Sequence, residues 1–169
     1  MHIRRFKRLE GILVPYVHGG GKIGVMVNLE TPAGATDAVL ACGKDCALQV
    51  AALKAPYLKR EDVPADVLES EKKIMLAQMD EDPKMANKPE QVKAKIVEGK
   101  IGKYYSENCL LDQEFVKDGS FTVQKYVDNC AKEANTTIKV VDYVCFERGE
   151  GVEKKEDNFA DEVASMMKK

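Results

Sequence analysis

From Ile23 the chain alternates: Ile23, Val25, Val27 and Leu29 fall on one side, and Lys22, Gly24, Met26, Asn28 and Glu30 on the other. A period of two predicts a strand with one buried face. The run before it, GILVPYVH, is also strand-like, and Pro15, having no N–H to donate, suits an edge or a bulge. Gly19, Gly20 and Gly21 join the two runs as a hairpin turn, because glycine takes positive φ at little steric cost. After TPAGATD the period changes. Val39, Cys42, Gly43, Cys46, Ala47, Val50 and Leu53 recur at three- and four-residue steps, which predicts an amphipathic helix ending before Pro56.

A second regime starts near Pro64. PADVLESEKKIMLAQM carries Val67, Leu68, Ile74, Met75 and Met79 among many charges, and EQVKAKIVEGKIGKYYS carries Val92, Ile96, Val97, Ile101, Tyr104 and Tyr105. The polar stretch DEDPKMANKP lies between them, so the pair reads as two helices folded back across a loop. Each arm spans about 24 Å at helical rise. A narrow apolar stripe and a wide charged face predict an antiparallel, coiled-coil-like hairpin protruding from a body. Gly99 and Gly102 predict an irregular end to the second arm.

CLLDQEFVKDGS reads as an extended connection. TVQKYVDNCAK predicts a short helix, with Val123, Tyr126, Val127 and Cys130 on one side. TTIKVVDYVCFERGEG, rich in β-branched and aromatic residues, predicts the third strand. EDNFADEVASMM predicts a closing helix with Phe159, Val163, Met166 and Met167 along one side. The strands are not interleaved as βαβ units. The fold class is therefore α+β: a three-stranded antiparallel sheet covered by helices, with the helical hairpin and a C-terminal helix added. The expected division is a core of residues 1–62 and 108–150, an inserted hairpin of 63–107, and a C-terminal helical module of 151–169.

The 169 residues suffice for one good core. A formal net charge of −2 argues against nucleic acid as a main partner, since phosphate binding needs a basic excess. The apolar runs are too short or too polar to span a bilayer, and MHIRRFKRLEG has no signal-type apolar region behind it, so neither membrane nor export is expected. Cytoplasm is the expected compartment. Five cysteines, an odd number with no CxxC pair, argue against a secreted disulfide framework. Cys42 and Cys46 lie four apart, the spacing of a two-ligand metal pair, but among Ala, Val and Leu they read as buried thiols.

The glycine turn raises the question of phosphate binding. A phosphate loop of the GxxxxGK type needs Ser or Thr after its lysine to hold magnesium. Here Ile23 follows Lys22, and the loop opens a strand, so no helix N-terminus aims its amides at an anion. No direct nucleotide binding and no cofactor are expected. His18 closes the first strand at the hairpin tip, either as a solvated side chain or as a partner contact. The other histidine is His2, and no nucleophile–base arrangement is recognisable. No catalytic residue, no metal site and no enzymatic activity are expected.

Several segments together are specific: HIRRFKRLEG, YVHGGGKIGVMV, PYLKREDVPADVLESE, KPEQVKAKIVEGKIGKYY, CLLDQEFVKD and FERGEGVEKKEDNFADEV, in that order. Through them the chain resembles the C-terminal half of the bacterial elongation factor Ts family, the guanine nucleotide exchange factors for elongation factor Tu. The resemblance implies that His18, with Gly19, Gly20 and Lys22 beside it, meets the third domain of elongation factor Tu. It implies that Asn158, Phe159, Val163 and Met166 dock on that partner's nucleotide-binding domain, and that a homodimer forms through this half. The family's Thr-Asp-Phe-Val motif, whose Phe wedges into the partner, belongs to the other half of the core. Thr36, Asp37, Ala38 and Val39 only partly match it, and the wedge role is not carried over. Cys145 stands where the family commonly has Arg. The resemblance thus implies a chain that binds elongation factor Tu but exchanges its nucleotide poorly, with a self-associating structural module as the alternative.

Overall fold

A computed structural model describes residues 4–86 and 88–151 of the chain. Strand β1 (Ile12–His18) and strand β2 (Ile23–Glu30) form the expected hairpin, and strand β5 (Lys139–Glu147) pairs on the other side of β2. The order β1-β2-β5 is antiparallel throughout, with β2 in the centre. Pro15 lies in the edge strand β1 opposite Met26, where its missing N–H costs least.

Helix α1 (Asp37–Leu53) packs on one face of this sheet. It starts where the Thr36 hydroxyl accepts from the Val39 N–H, with Asp37 favourably placed in the first turn. It stops at Lys54, whose φ of 48° breaks the helix while its N–H still donates to the Val50 carbonyl at 2.9 Å. Val39, Cys42, Cys46, Ala47 and Val50 of α1 meet Val14, Val25, Val27 and Leu29 of the sheet in one core. Each valine or leucine among them contributes about 1.5–3 kcal/mol when fully buried. Gly43 permits the close approach: a Cβ there would lie 2.6 Å from Val14 Cγ2 and 2.8 Å from Leu29 Cδ1. Helix α5 (Val123–Glu133), capped by Thr122, completes the layer with Val127 and Ala131 buried.

The hairpin arms are α2 (Ala65–Glu81) and α4 (Glu90–Asn108), with the four-residue α3 (Pro83–Ala86) inside the expected loop. Their seam is narrower than the apolar pattern predicts. Met79, Val97 and Ile101 are buried, whereas Ile74 is 49 % and Val92 40 % exposed. The expected irregular end to the second arm does not occur, for α4 runs unbroken to Asn108. Tertiary contacts override glycine's weak propensity here. Ile101 packs in the seam, and the arm's end is tied down where the Leu110 N–H donates to Tyr57 O at 2.9 Å and the Tyr57 N–H donates to Asn108 O at 3.2 Å.

The connection after α4 is also not simply extended. Residues Leu110–Asp112 form a 3₁₀ turn, and β3 (Glu114–Phe115) pairs with β4 (Asp118–Thr122) as a second small sheet. Leu110 and Phe115 are buried in the core, and Phe115 stacks on Tyr126 with centroids 4.1 Å apart.

A further departure concerns the outer sheet face. Asn28, on the side opposite the core residues, is only 9 % exposed. Residues 5–10 lie along that side. The Asn28 amide donates to Glu10 O at 2.9 Å, Lys7 pairs with Asp142 at 2.6 Å, and the Arg5 guanidinium sits 4.5 Å from the Phe146 ring centroid. The C-terminal helix expected over 156–167 lies outside the described residues.

Candidate partner-binding site at the hairpin turn

Two strands carry the site to the surface. His18 is the last residue of β1 and stands in register with Ile23, which in turn faces Glu147 on β5. The chain reverses through Gly19, Gly20 and Gly21 at φ of 60°, 64° and 87°. Three consecutive residues in this region exclude side chains by conformation, not by crowding, since a Cβ at Gly20 or Gly21 would meet nothing within 4 Å. The Lys22 N–H donates to His18 O at 3.1 Å and closes the turn.

The tip is braced from the side. The Arg148 N–H donates to Lys22 O at 2.8 Å, joining the turn to the chain leaving β5. Glu147 pairs with Lys54, and this hydrogen bond raises the Lys54 ammonium above its usual pKa. Glu150 pairs with Arg5 from the N-terminal strip. The exposed end of the sheet therefore carries His18, Lys22, Lys54, Glu147 and Arg148 around the glycine reversal.

His18 is exposed but not free. Its Nδ1 lies 3.0 Å from the Tyr16 hydroxyl, with ring centroids 5.9 Å apart and planes inclined by 33°. Tyr16 packs against the core on its other side. The turn leads into β2, so the helix N-terminus that anion binding of the phosphate-loop kind requires is not there.

The structure brings His18, Gly19, Gly20 and Lys22 together at this tip. Asn158, Phe159, Val163 and Met166 lie outside the described residues. The sequence reading missed Tyr16, Glu147 and Arg148 as companions of His18. Tyr16 was within reach of it, because residues two apart on a strand share a face. Arg148 was not, because the β2–β5 pairing that brings it to the turn is non-local.

The cysteines belong to the core. Cys42 and Cys46 are buried in α1, and the neighbouring Cys46 together with burial pushes the Cys42 thiol well above its usual range. Burial lifts Cys109 to about 11 and Cys130 to about 11. Such thiols are poor nucleophiles and poor ligands at neutral pH. A groove of about 680 Å³ runs between α2 and α4, lined by Lys72, Leu76, Asp80, Lys93, Val97 and Ile101 among others. Its Lys93 and Asp80 neutralise each other at 2.5 Å, and none of its residues belongs to the turn. No helix among the described residues is long and apolar enough to cross a membrane.

The family model described as elongation factor TS matches residues 1–150. An elongation factor Ts of Syntrophotalea carbinolica is 44 % identical over 171 residues, covering 99 % of this chain and 55 % of that protein. One from Clostridium tetani is 44 % identical over 170 residues, covering 99 % and 54 % respectively. One from Clostridium botulinum strain Eklund 17B is 44 % identical over 176 residues, covering 100 % and 55 %. The chain spans about half the length of these curated relatives. On the extent of the family match and on this identity, the chain belongs to the elongation factor Ts family.

Proposed function

We propose that this chain serves translation by binding elongation factor Tu, with the His18 turn as one contact and Asn158, Phe159, Val163 and Met166 as a second. Its compartment is then the cytoplasm, and its action is that of a nucleotide exchange factor component, not of an enzyme with a reacting centre. The observation that carries this reading is the exposed hairpin tip, where His18 stands beside a turn closed by the Lys22 N–H on His18 O and tied to the end of β5 by the Arg148 N–H on Lys22 O. Family membership supplies the partner. In the same reading residues 63–107 are an inserted arm and 151–169 a separate contact module.

Exchange is a linkage effect. A factor that binds the nucleotide-free partner more tightly must weaken nucleotide binding by the same ratio. Contacts made equally to both states add affinity but release nothing. The Thr-Asp-Phe-Val wedge implied for the family does not occur in the 169 residues. We therefore expect this polypeptide to bind elongation factor Tu and to accelerate GDP release weakly or not at all. Stopped-flow release of a fluorescent GDP at saturating chain tests this. Release as fast as with a full-length factor would overturn the weak-exchange part, and no binding by calorimetry would overturn the whole.

A second reading rests on the outer sheet face, where Leu13, Met26 and Val144 are half-buried and Val17 is 67 % exposed. Such a face suits self-association. Sedimentation with and without elongation factor Tu separates the two, since a tight homodimer indifferent to that partner favours the structural module.

A further inference from the structure

The neutral imidazole has one N–H donor and one acceptor nitrogen, and what it offers outward depends on which nitrogen keeps the proton. That choice is set by the hydrogen bond made at the other nitrogen. At the hairpin tip the neighbour is Tyr16, whose hydroxyl lies 3.0 Å from Nδ1 of His18. Tyr16 and His18 occupy the same face of β1 by strand alternation, and the tyrosine ring is held by the core. The hydroxyl is thus carried on a ring whose packing the turn itself does not share.

We infer that Tyr16 is a positioning residue for His18: its O–H donates to Nδ1, keeps the neutral ring in the Nε2–H form and turns that N–H outward toward a hydrogen-bond acceptor on the partner. The inference rests on the proposed role of the His18 turn. Three glycines in succession leave the tip without side-chain packing of its own, and a histidine beside them loses rotamer freedom on binding. A hydroxyl carried on a ring that packs against the core removes part of that loss beforehand, and pre-organisation of this kind strengthens binding without adding a contact. The surface that results is matched to a carboxylate or a backbone carbonyl. An N–H donor on the partner has no acceptor nitrogen to meet, because Nδ1 is already engaged.

The test uses the whole chain in three variants, Tyr16→Phe, His18→Ala and the pair combined. The phenylalanine keeps the ring that packs on the core and removes only the hydroxyl. Long-range proton–nitrogen NMR of the nitrogen-labelled chain reads the tautomer, with the His18 signals identified by their loss in His18→Ala. The Nε2–H form should dominate in the parent chain, and Tyr16→Phe should raise the share of the Nδ1–H form. Calorimetry with nucleotide-free elongation factor Tu should show roughly two- to tenfold weaker binding for Tyr16→Phe, the span of one hydrogen bond. The double variant should bind no worse than His18→Ala. An unchanged tautomer ratio in Tyr16→Phe overturns the inference, as does a loss of affinity that persists on the His18→Ala background. Unchanged affinity in His18→Ala overturns instead the proposed role of the turn, while the NMR result still decides whether Tyr16 holds the ring.

Discussion

The Gln49 side-chain amide donates to Gln113 Oε1 at 3.1 Å inside the core, with Gln49 fully buried and Gln113 2 % exposed. Gln49 also donates to Glu114 O at 3.0 Å and accepts from the Val116 N–H at 2.9 Å, while Gln113 donates to Glu107 O at 3.0 Å. Two neutral side chains thereby join α1, the end of α4 and the small second sheet, each satisfying the other's buried amide and part-buried backbone groups around it.

Replacing Gln49 with Leu should therefore cost about 1–3 kcal/mol, since it leaves Gln113 Oε1 in the core without its donor and removes the two part-buried bonds to Glu114 O and the Val116 N–H. Urea unfolding of Gln49→Leu, Gln113→Leu and the double variant measures this. The double variant should cost clearly less than the two single losses added, because their shared bond is removed only once.

Glycine substitutions in the two helical regions should act with opposite sign. Gly43→Ala improves helix propensity but drives a methyl group to 2.6 Å from Val14 Cγ2, so a net loss of about 1–3 kcal/mol is expected. Gly99 and Gly102 have nothing within 4 Å of an added Cβ, and alanine at either should stabilise α4 by up to about 1 kcal/mol. Thermal melts of the three variants check the signs.

His18→Ala should weaken binding to elongation factor Tu while leaving the melting temperature nearly unchanged. The side chain is exposed at a turn and contributes little to the core. Calorimetry and circular dichroism on the same preparation separate the two effects. Equal affinity would remove the turn from the proposed interface.

Alkaline pH should destabilise the chain through its buried thiols. Burial raises Cys109 from 9.0 to about 11, so the folded state holds the proton longer than the unfolded state. The associated stability is complete below about pH 9 and is lost as pH rises toward 11, on the order of 1–2 kcal/mol for this residue. Urea midpoints at pH 7.5 and 10.5 should differ less in Cys109→Ala than in the parent chain.

Sequence alone determined what depends on neighbours along the chain. The alternation from Ile23 to Leu29, the helical spacing from Val39 to Leu53, the cap at Thr36 and the tri-glycine reversal that exposes His18 all follow from local sterics and periodic burial. Tertiary structure decided what depends on segments far apart. Asn28 is buried because residues 5–10 return over it, although alternation places it on the side away from the core. Gly99 and Gly102 stay helical because Ile101 packs in the seam and the end of the arm is bonded to Tyr57. The stretch around Gln113 folds into a turn and a small sheet because Gln49, on another helix, satisfies its backbone. The same division holds at the turn, where chain-local geometry presents the histidine and the core, through Tyr16, sets which way it points.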